Sequence, residues 1–280
     1  MSRSAQLSRP RRLGEDPPRR VLAVMMPVYN EARTLGAILA AVLERPEVAE
    51  VIVVDDGSTD GTWEILARAA AQDGRVRALR QERNRGKGAA LRRAVAELTA
   101  PFAIVQDADL EYSPDDYPAL LRPLVNGSAD AVFGVRGFAG HTAYSYWFVQ
   151  GNRGLTWACN VLFNCYISDL LTGYKALRSE LWRRLAFRRE GFAADAEITA
   201  RLLRLGYRVH EVPISYVTRS REEGKKVRVR DGVSHLGALL AVRLQTRAYL
   251  FGADDGYHGD RHVELATRRA AERARASRTA

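Results

Sequence analysis

Short apolar runs and amphipathic stretches alternate along residues 21–135. Val21–Met26 is an unbroken apolar run closed by Pro27, and it reads as a buried strand. Glu31–Leu43 follows with Leu35, Ile38, Leu39 and Val42 on one helical face. The alternation continues with strand Val51–Val54, helix Thr62–Ala71, strand Val76–Leu79 and helix Gly88–Leu98. Strand Phe102–Val105 comes next, then helix Asp115–Val125 behind the start signal Ser113-Pro114, then strand Ala131–Val135. Strand and helix at intervals of roughly 25 residues predict βαβ units, hence an α/β fold with a mostly parallel sheet and helices on both faces. In such sheets ligands sit at the carboxyl ends of the strands. Three segments therefore share one rim: Pro27–Glu31, Asp55–Asp60 and Asp107–Glu111.

After residue 140 the pattern changes. Tyr144–Ile167 is long, aromatic and helical in spacing, and Ser179–Leu185 and Ala194–Leu205 read as helices. Val209–Val212 and Ser215–Val217 read as two strands around Pro213. Arg219–Arg230 is a basic loop and Asp231–Phe251 a last amphipathic helix. Residues 1–20, rich in Arg, Pro and Ser, read as a disordered tail, and residues 252–280 as a second tail.

Charge and cysteine content narrow the picture a little. The net charge is +10, with six arginines in residues 1–20 alone. Such a chain suits nucleic acid, an anionic membrane surface or phosphorylated small molecules. Cys159 and Cys165 have neither a metal-binding nor a disulfide-framework spacing and read as reduced thiols. The N-terminus lacks the apolar core of a signal peptide. No apolar run reaches the roughly 18 residues a membrane span needs. Tyr144–Ile167 and Gly237–Phe251 are either core helices or interfacial ones.

The candidate chemistry lies on the predicted rim. In Val105–Tyr112, "VQDADLEY", Asp107 and Asp109 stand one residue apart at a strand end. Carboxylates so close repel unless a cation or water separates them, and their oxygens suit Mg²⁺ or Mn²⁺. A solvated acidic turn is the simpler reading of that motif alone. Asp55, Asp56 and Asp60 sit on the same rim, and two acidic strand ends together call for a ligand. Carboxylates accept hydrogen bonds from ribose hydroxyls and base N–H groups, or hold metal.

"MPVYNEARTLG", "VIVVDDGSTDGT", "NRGKGAAL", "QDADLEY" and "GVRGF", in this order, resemble family 2 glycosyltransferases of the GT-A fold. Within them the similarity is to dolichyl- and polyprenyl-phosphate mannosyl- and glucosyltransferases. "LTGYKALR", "GFAADAEITARLLRLGYRVHEVPISY" and "SREEGKK" extend it over roughly residues 21–245. The resemblance implies an inverting, metal-dependent transfer of a hexose from a nucleotide sugar to a lipid phosphate. It divides the single domain into a nucleotide-sugar half, 21–140, and an acceptor-side half, 141–251. It implies that Pro27, Tyr29 and Glu31 line the nucleoside pocket, that Asp56 meets the base, and that Lys87 lies near the donor phosphates. Asp107, Asp109 and Glu111 would hold Mg²⁺ or Mn²⁺. Asp195 falls where relatives place an acid near the acceptor, with Glu197 as its competitor and a helix N-cap as the alternative role. Arg136, Arg153 and Lys175 would face an acceptor phosphate. Arg219, Ser220, Arg221, Lys225 and Lys226 match a loop closing over the site, with Lys225 on the donor and Arg219 and Ser220 on the acceptor. Catalysis would rest on Asp109, Asp195 and Arg136. Asp56 is expected to matter for nucleotide affinity rather than for folding. The implied location is the cytoplasm, with peripheral contact on the inner face of a membrane.

Other classes fit less well. A Rossmann dehydrogenase needs GxGxxG directly after the first strand, where Pro27-Val28-Tyr29-Asn30-Glu31 stands instead. Acids at the ligand rim would repel a nucleic acid. A soluble hydroxyl acceptor, or an inactive nucleotide-sugar binder, is a remaining alternative. His258 and His262 have no third ligand near in sequence to make a metal site.

Overall fold

A computed structural model of the chain describes residues 20–137, 146–217 and 229–251. In chain order come β1 (Leu22–Val28), α1 (Leu35–Leu43), β2 (Val48–Asp55), α2 (Thr62–Gln72), β3 (Val76–Arg80), α3 (Lys87–Ala96), β4 (Phe102–Val105), α4 (Tyr117–Val125) and β5 (Ala131–Arg136). They are followed by α5 (Tyr146–Phe163), β6 (Lys175–Arg178), α6 (Ser179–Leu185), α7 (Ala194–Arg204), β7 (Val209–Ile214), α8 (Val229–Leu244) and α9 (Arg247–Phe251). The strands make one seven-stranded sheet in the order β3-β2-β1-β4-β6-β5-β7. Neighbours are parallel except at β6, which runs antiparallel to both β4 and β5.

The apolar runs are continuous because both faces of the sheet are covered. In β1, Leu22, Val24, Met26 and Val28 face a core built with α1 and α4. Ala23 and Met25 point the other way, into a core built with α3, α6 and α7. A third cluster joins α5, α7 and α8 beside the sheet.

Several local expectations are corrected. Pro27 lies inside β1 instead of ending it. β4 stops opposite Met25, so Pro27 is past the ladder on that side and its missing N–H costs no sheet bond. Pro213 likewise lies inside a single strand, β7, which is the edge of the sheet and pairs with β5. Glu31–Thr34 is a turn rather than the start of a helix, closed by the Leu35 N–H on the Glu31 carbonyl at 2.9 Å. The expected last helix is two, α8 and α9, separated at Gln245–Thr246. β6 was not expected at all, since "KALR" shows no strand alternation. Residues 1–19 and 252–280 lie outside the described residues. So do Arg219, Ser220, Arg221, Lys225, Lys226, His258 and His262.

One close approach matters for the site. Gly86 has φ +93°, and a Cβ there would lie 2.5 Å from the Glu190 carbonyl oxygen. A Cβ on Gly88 would lie 2.1 Å from the Arg189 carbonyl oxygen and 2.6 Å from Ala194 Cβ. The two glycines around Lys87 thus let the start of α3 press against the 189–191 loop and α7. Among the described residues no helix is long and apolar enough to cross a membrane.

Candidate active site

A cavity of about 400 Å³ opens over the carboxyl ends of β1, β2, β4 and β5. Pro27, Tyr29 and Glu31 line it after β1, Asp56 after β2, Asp107, Asp109 and Glu111 after β4, and Arg136 at the end of β5. Helices supply Lys87 at the start of α3, Asp195 in the first turn of α7, Phe148 from α5 and His235 from α8.

The adjacent acids after β2 divide their work. Asp55 is fully buried, accepts the Ser58 N–H at 3.0 Å and pairs with Arg80 Nε at 3.2 Å. It shapes the turn. Asp56 lines the cavity, yet its carboxylate already accepts Gln81 Nε2 at 2.7 Å and the backbone N–H groups of Arg85 and Gly86 at 2.8 and 2.7 Å. Burial raises its pKa, and the charge of Asp55 adds to that, against the lowering by the two backbone N–H groups. Asp56 therefore holds the 85–86 turn that launches α3. The expectation that it is neutral for folding is corrected: Asp56→Ala is expected to destabilise the ligand-free protein by about 1–3 kcal/mol, the cost of stranding buried donors. Thermal unfolding of the two proteins checks this, and an unchanged midpoint would count against it. Glu31 accepts Thr34 Oγ1 at 3.0 Å, and its N–H donates to Thr62 Oγ1 at 2.9 Å.

After β4 the chain is braced from beneath. Gln106 Oε1 accepts Tyr117 and Tyr174 hydroxyls at 2.7 and 2.6 Å, and the Tyr112 hydroxyl accepts the Gly173 N–H at 2.8 Å. Leu110, between Asp109 and Glu111, has φ +62°, a left-handed conformation unfavourable for leucine by roughly 1 kcal/mol. Strain of that kind persists where surrounding structure enforces it. Lys87 Nζ stands 2.9 and 3.2 Å from the two Asp107 oxygens and 3.3 Å from Asp195 Oδ2. Burial lowers the Lys87 pKa, but Asp107 and Asp195 outweigh it and hold the amine well above its ordinary value. The Asp109 carboxylate accepts the Glu111 N–H at 3.2 Å, and Glu111 accepts the Tyr216 hydroxyl at 2.5 Å. The expected three-carboxylate metal set is corrected accordingly. Among the described residues no group of three or more Asp, Glu, His or Cys side chains is arranged around one metal position. Asp107 and Asp109 remain as a pair of oxygen donors, and an ammonium already resting on Asp107 shows that its carboxylate attracts a cation.

The cations expected to face an acceptor separate. Arg136 is 4% exposed and donates from Nε and Nη2 to Asp169 at 2.7 Å each. Asn152 adds a third bond to Asp169 at 2.9 Å. Burial would raise the Asp169 carboxyl, but bonds and charge from Arg136 hold it below the ordinary value. A depressed folded value means its stabilisation is complete above the unfolded carboxylate range near pH 4 and is lost as pH falls through the folded value. Stability is therefore expected to drop on acidification below about pH 4, and Asp169→Asn to flatten that drop. Denaturant midpoints measured across that range check the slope. Lys175 does not reach the cavity. It is fully buried, with Nζ bonded to the Leu170 and Thr172 carbonyls at 3.2 and 2.6 Å and stacked 4.9 Å from the Phe133 ring centre. Burial pushes its pKa down to about 8, with Asp195 opposing. Its role as an acceptor-facing cation is corrected to that of an anchor beneath the 170–173 loop. Arg153 is exposed on α5 and is not part of the cavity wall, a second correction.

The competition between the acids of α7 has a plain outcome. Glu197 accepts the Arg188 and Arg189 N–H groups at 2.9 and 2.7 Å and Arg201 Nε at 2.8 Å, away from the cavity. Asp195 lines the cavity and is not an N-cap, a position that Ala193 fills. Burial raises the Asp195 carboxyl, but Lys87, Lys175 and His235 outweigh this and lower it. Its Oδ1 is buried without a hydrogen-bond partner.

A model of the family described as Glycosyl transferase family 2 matches residues 23–186. The chain belongs to that family. It is 30% identical over 216 residues to an undecaprenyl-phosphate mannosyltransferase of Micrococcus luteus, covering 74% of this chain and 87% of the relative. To a polyprenol monophosphomannose synthase of Mycolicibacterium smegmatis it is 30% identical over 238 residues, 77% of this chain and 87% of the relative. To a dolichyl-phosphate hexose transferase of Haloferax volcanii it is 31% identical, covering 72% and 85%. Glucosyl-3-phosphoglycerate synthase from Mycobacterium tuberculosis, solved with Mn²⁺, UDP-glucose and phosphoglyceric acid, superposes with a TM-score of 0.62. The superposition covers 80% of each chain at 23% identity. That likeness shows the fold, the GT-A arrangement.

Asp169, His235 and Tyr112 were not singled out from the sequence. Asp169 sits in "SDLLTGYK", where nothing local marks it; only the sheet brings it to Arg136. His235 lies on the buried side of α8, 3% exposed, with its ring against the Asp231 carbonyl. Its helical pattern looks like core.

Proposed function

We propose that this glycosyltransferase moves a hexose, with inversion, from a nucleoside diphosphate sugar to a polyprenyl phosphate. The observation that carries the reading is Arg136, which lines the same cavity as Asp107 and Asp109 and whose guanidinium is held in place there by Asp169. An ionised phosphate needs a cation to meet it and no base to activate it, whereas an alcohol must lose a proton as it attacks. Asp195, the candidate base, has one of its two oxygens on Lys87, Oδ2 at 3.3 Å. The three relatives named above as acting on undecaprenyl, polyprenol and dolichyl carriers support the same acceptor class.

In this reading Pro27, Tyr29, Glu31 and Asp56 receive the nucleoside. Asp107 and Asp109 would hold Mg²⁺ or Mn²⁺, which keeps open positions for phosphate oxygens and supplies positive charge to the departing diphosphate. Lys87, at the N-terminus of α3, adds a cation where helix N–H groups also favour anions. Asp195 Oδ1, which lacks a partner, accepts a hydroxyl of the sugar. Lys225, Arg219 and Ser220 remain assigned to donor and acceptor by resemblance. The enzyme acts from the cytoplasm on the inner membrane face, where Trp147 and Trp157 of α5 and Leu240 and Leu244 of α8 are exposed apolar contacts.

The orphaned Asp195 Oδ1 also favours a second reading, a soluble hydroxyl acceptor deprotonated by that oxygen. The test is transfer from GDP-mannose and UDP-glucose to undecaprenyl phosphate, dolichyl phosphate and phosphoglyceric acid, with Mn²⁺ and with EDTA. Metal-dependent product on a lipid phosphate is expected. Transfer to the soluble acceptor with none to any lipid phosphate would overturn the proposal.

A further inference from the structure

We infer that Lys87 is an internal counter-ion that occupies the Asp107 carboxylate until the donor arrives, so that metal alone binds poorly and a metal–diphosphate binds well. The inference rests on the proposed donor site and adds an order of binding to it. The geometry is specific. The Lys87 ammonium straddles both Asp107 oxygens, at 2.9 and 3.2 Å, in the manner of a bound cation. It is also 3.3 Å from Asp195, so one ammonium serves two carboxylates. The three groups are sparsely exposed, with side-chain values of 11% for Lys87, 23% for Asp107 and 9% for Asp195.

A divalent ion approaching Asp107 meets the ammonium at close range, and in a partly buried site that repulsion is poorly screened. While Lys87 lies on both oxygens, an ion at Asp107 must share them with an ammonium. Moving Lys87 away without compensation would leave a buried ammonium with half its partners gone. A diphosphate resolves the conflict because it offers the ammonium new oxygen partners as the metal takes over the carboxylate. The lysine can make that exchange by side-chain rotation alone, since Gly86 and Gly88 pin the backbone on either side of it against the 189–191 loop. Asp195 stays beside the ammonium in both arrangements.

The test uses the full-length protein and reads Mn²⁺ binding by loss of the free-ion EPR signal, without nucleotide and with GDP or UDP. Wild type is expected to bind Mn²⁺ weakly alone and at least about tenfold more tightly with the nucleotide it accepts. Lys87→Met is expected to tighten Mn²⁺ binding in the absence of nucleotide by about tenfold or more, because two carboxylates lose their counter-ion. It should also shrink the tightening that nucleotide brings. Lys87→Arg should behave like wild type. Equal Mn²⁺ affinity of wild type with and without a nucleotide that binds would overturn the inference, and that measurement needs no variant. Unchanged or weaker Mn²⁺ binding by a folded Lys87→Met protein would overturn it too, while leaving the donor reading in place if GDP or UDP still binds. Tighter Mn²⁺ binding by Lys87→Met, with wild type itself binding neither GDP nor UDP, would support the counter-ion and sink the donor reading instead.

Discussion

Asp109→Asn is expected to lower hexosyl transfer by roughly 10²–10³, with little change in thermal stability. The carboxylate is partly exposed at the cavity edge, and among its contacts is the Glu111 N–H at 3.2 Å, a donor that an amide oxygen can also accept. Its charge is what an amide cannot supply. A metal that neutralises a leaving diphosphate contributes several kcal/mol to the transition state, and about 3–4 kcal/mol corresponds to that loss of rate. Initial rates with saturating donor, over a Mn²⁺ series, provide the measurement. The variant should also need more Mn²⁺ for half its activity. Wild-type rates in the variant, or full wild-type turnover in excess EDTA, would remove the metal from the mechanism.

Arg136→Met should have the largest combined effect. It leaves Asp169 buried with Asn152 but without its guanidinium, and breaking one side of a buried pair costs about 3–5 kcal/mol. Lost transfer in that variant alone would therefore be ambiguous. The double variant Arg136→Met with Asp169→Leu removes both charges, and apolar replacement of a buried pair is often neutral. It should recover part of the stability, since Asn152 loses its bond to Asp169, and none of the transfer to polyprenyl phosphate, while slow hydrolysis of the donor persists. Asp195→Asn should be mild beside it, about tenfold or less, because an ionised phosphate needs no base. A hydroxyl acceptor would reverse the order, with Asp195→Asn costing about 10²–10⁴. Recovery of lipid-phosphate transfer in the double variant would leave Arg136 with a packing role only.

How much of this was legible in the sequence depended on how local each signal was. The βαβ alternation is a local pattern, and it placed the rim correctly through Pro27, Asp56 and Asp107. The family resemblance implied Lys87, Asp109, Arg136 and Asp195 as site residues, and all four line the one cavity. Lys175 and Arg153 failed for the opposite reason. Whether a cation faces a cavity depends on which way its strand or helix is turned, and β6 turns Lys175 under the floor. Glu197 and Asp195 differ in the same way: two residues apart on α7, they face different neighbours. The partnership of Arg136, Asp169 and Asn152 joins residues from β5, the loop before β6 and α5. No local pattern encodes a contact of that range. The basic segment from Arg219 to Lys226 remains an assignment by resemblance.

The reversed strand has a consequence for how the chain is made. β6 is inserted between β4 and β5, yet β5 is synthesised first. Strands β1 to β3 find their neighbours through short βαβ crossovers, and β4 then docks against β1, so this part of the sheet can collapse as it leaves the ribosome. β5 has no such neighbour until residues 175–178 arrive and bridge it to β4. During that interval β4 presents an unpaired apolar edge, the kind that recruits strands from other chains. The wall carrying Arg136 is therefore the last part of the pocket to be secured during synthesis. Fragments ending before residue 175 should be caught by chaperones or aggregate, whereas those extending past β7 should not.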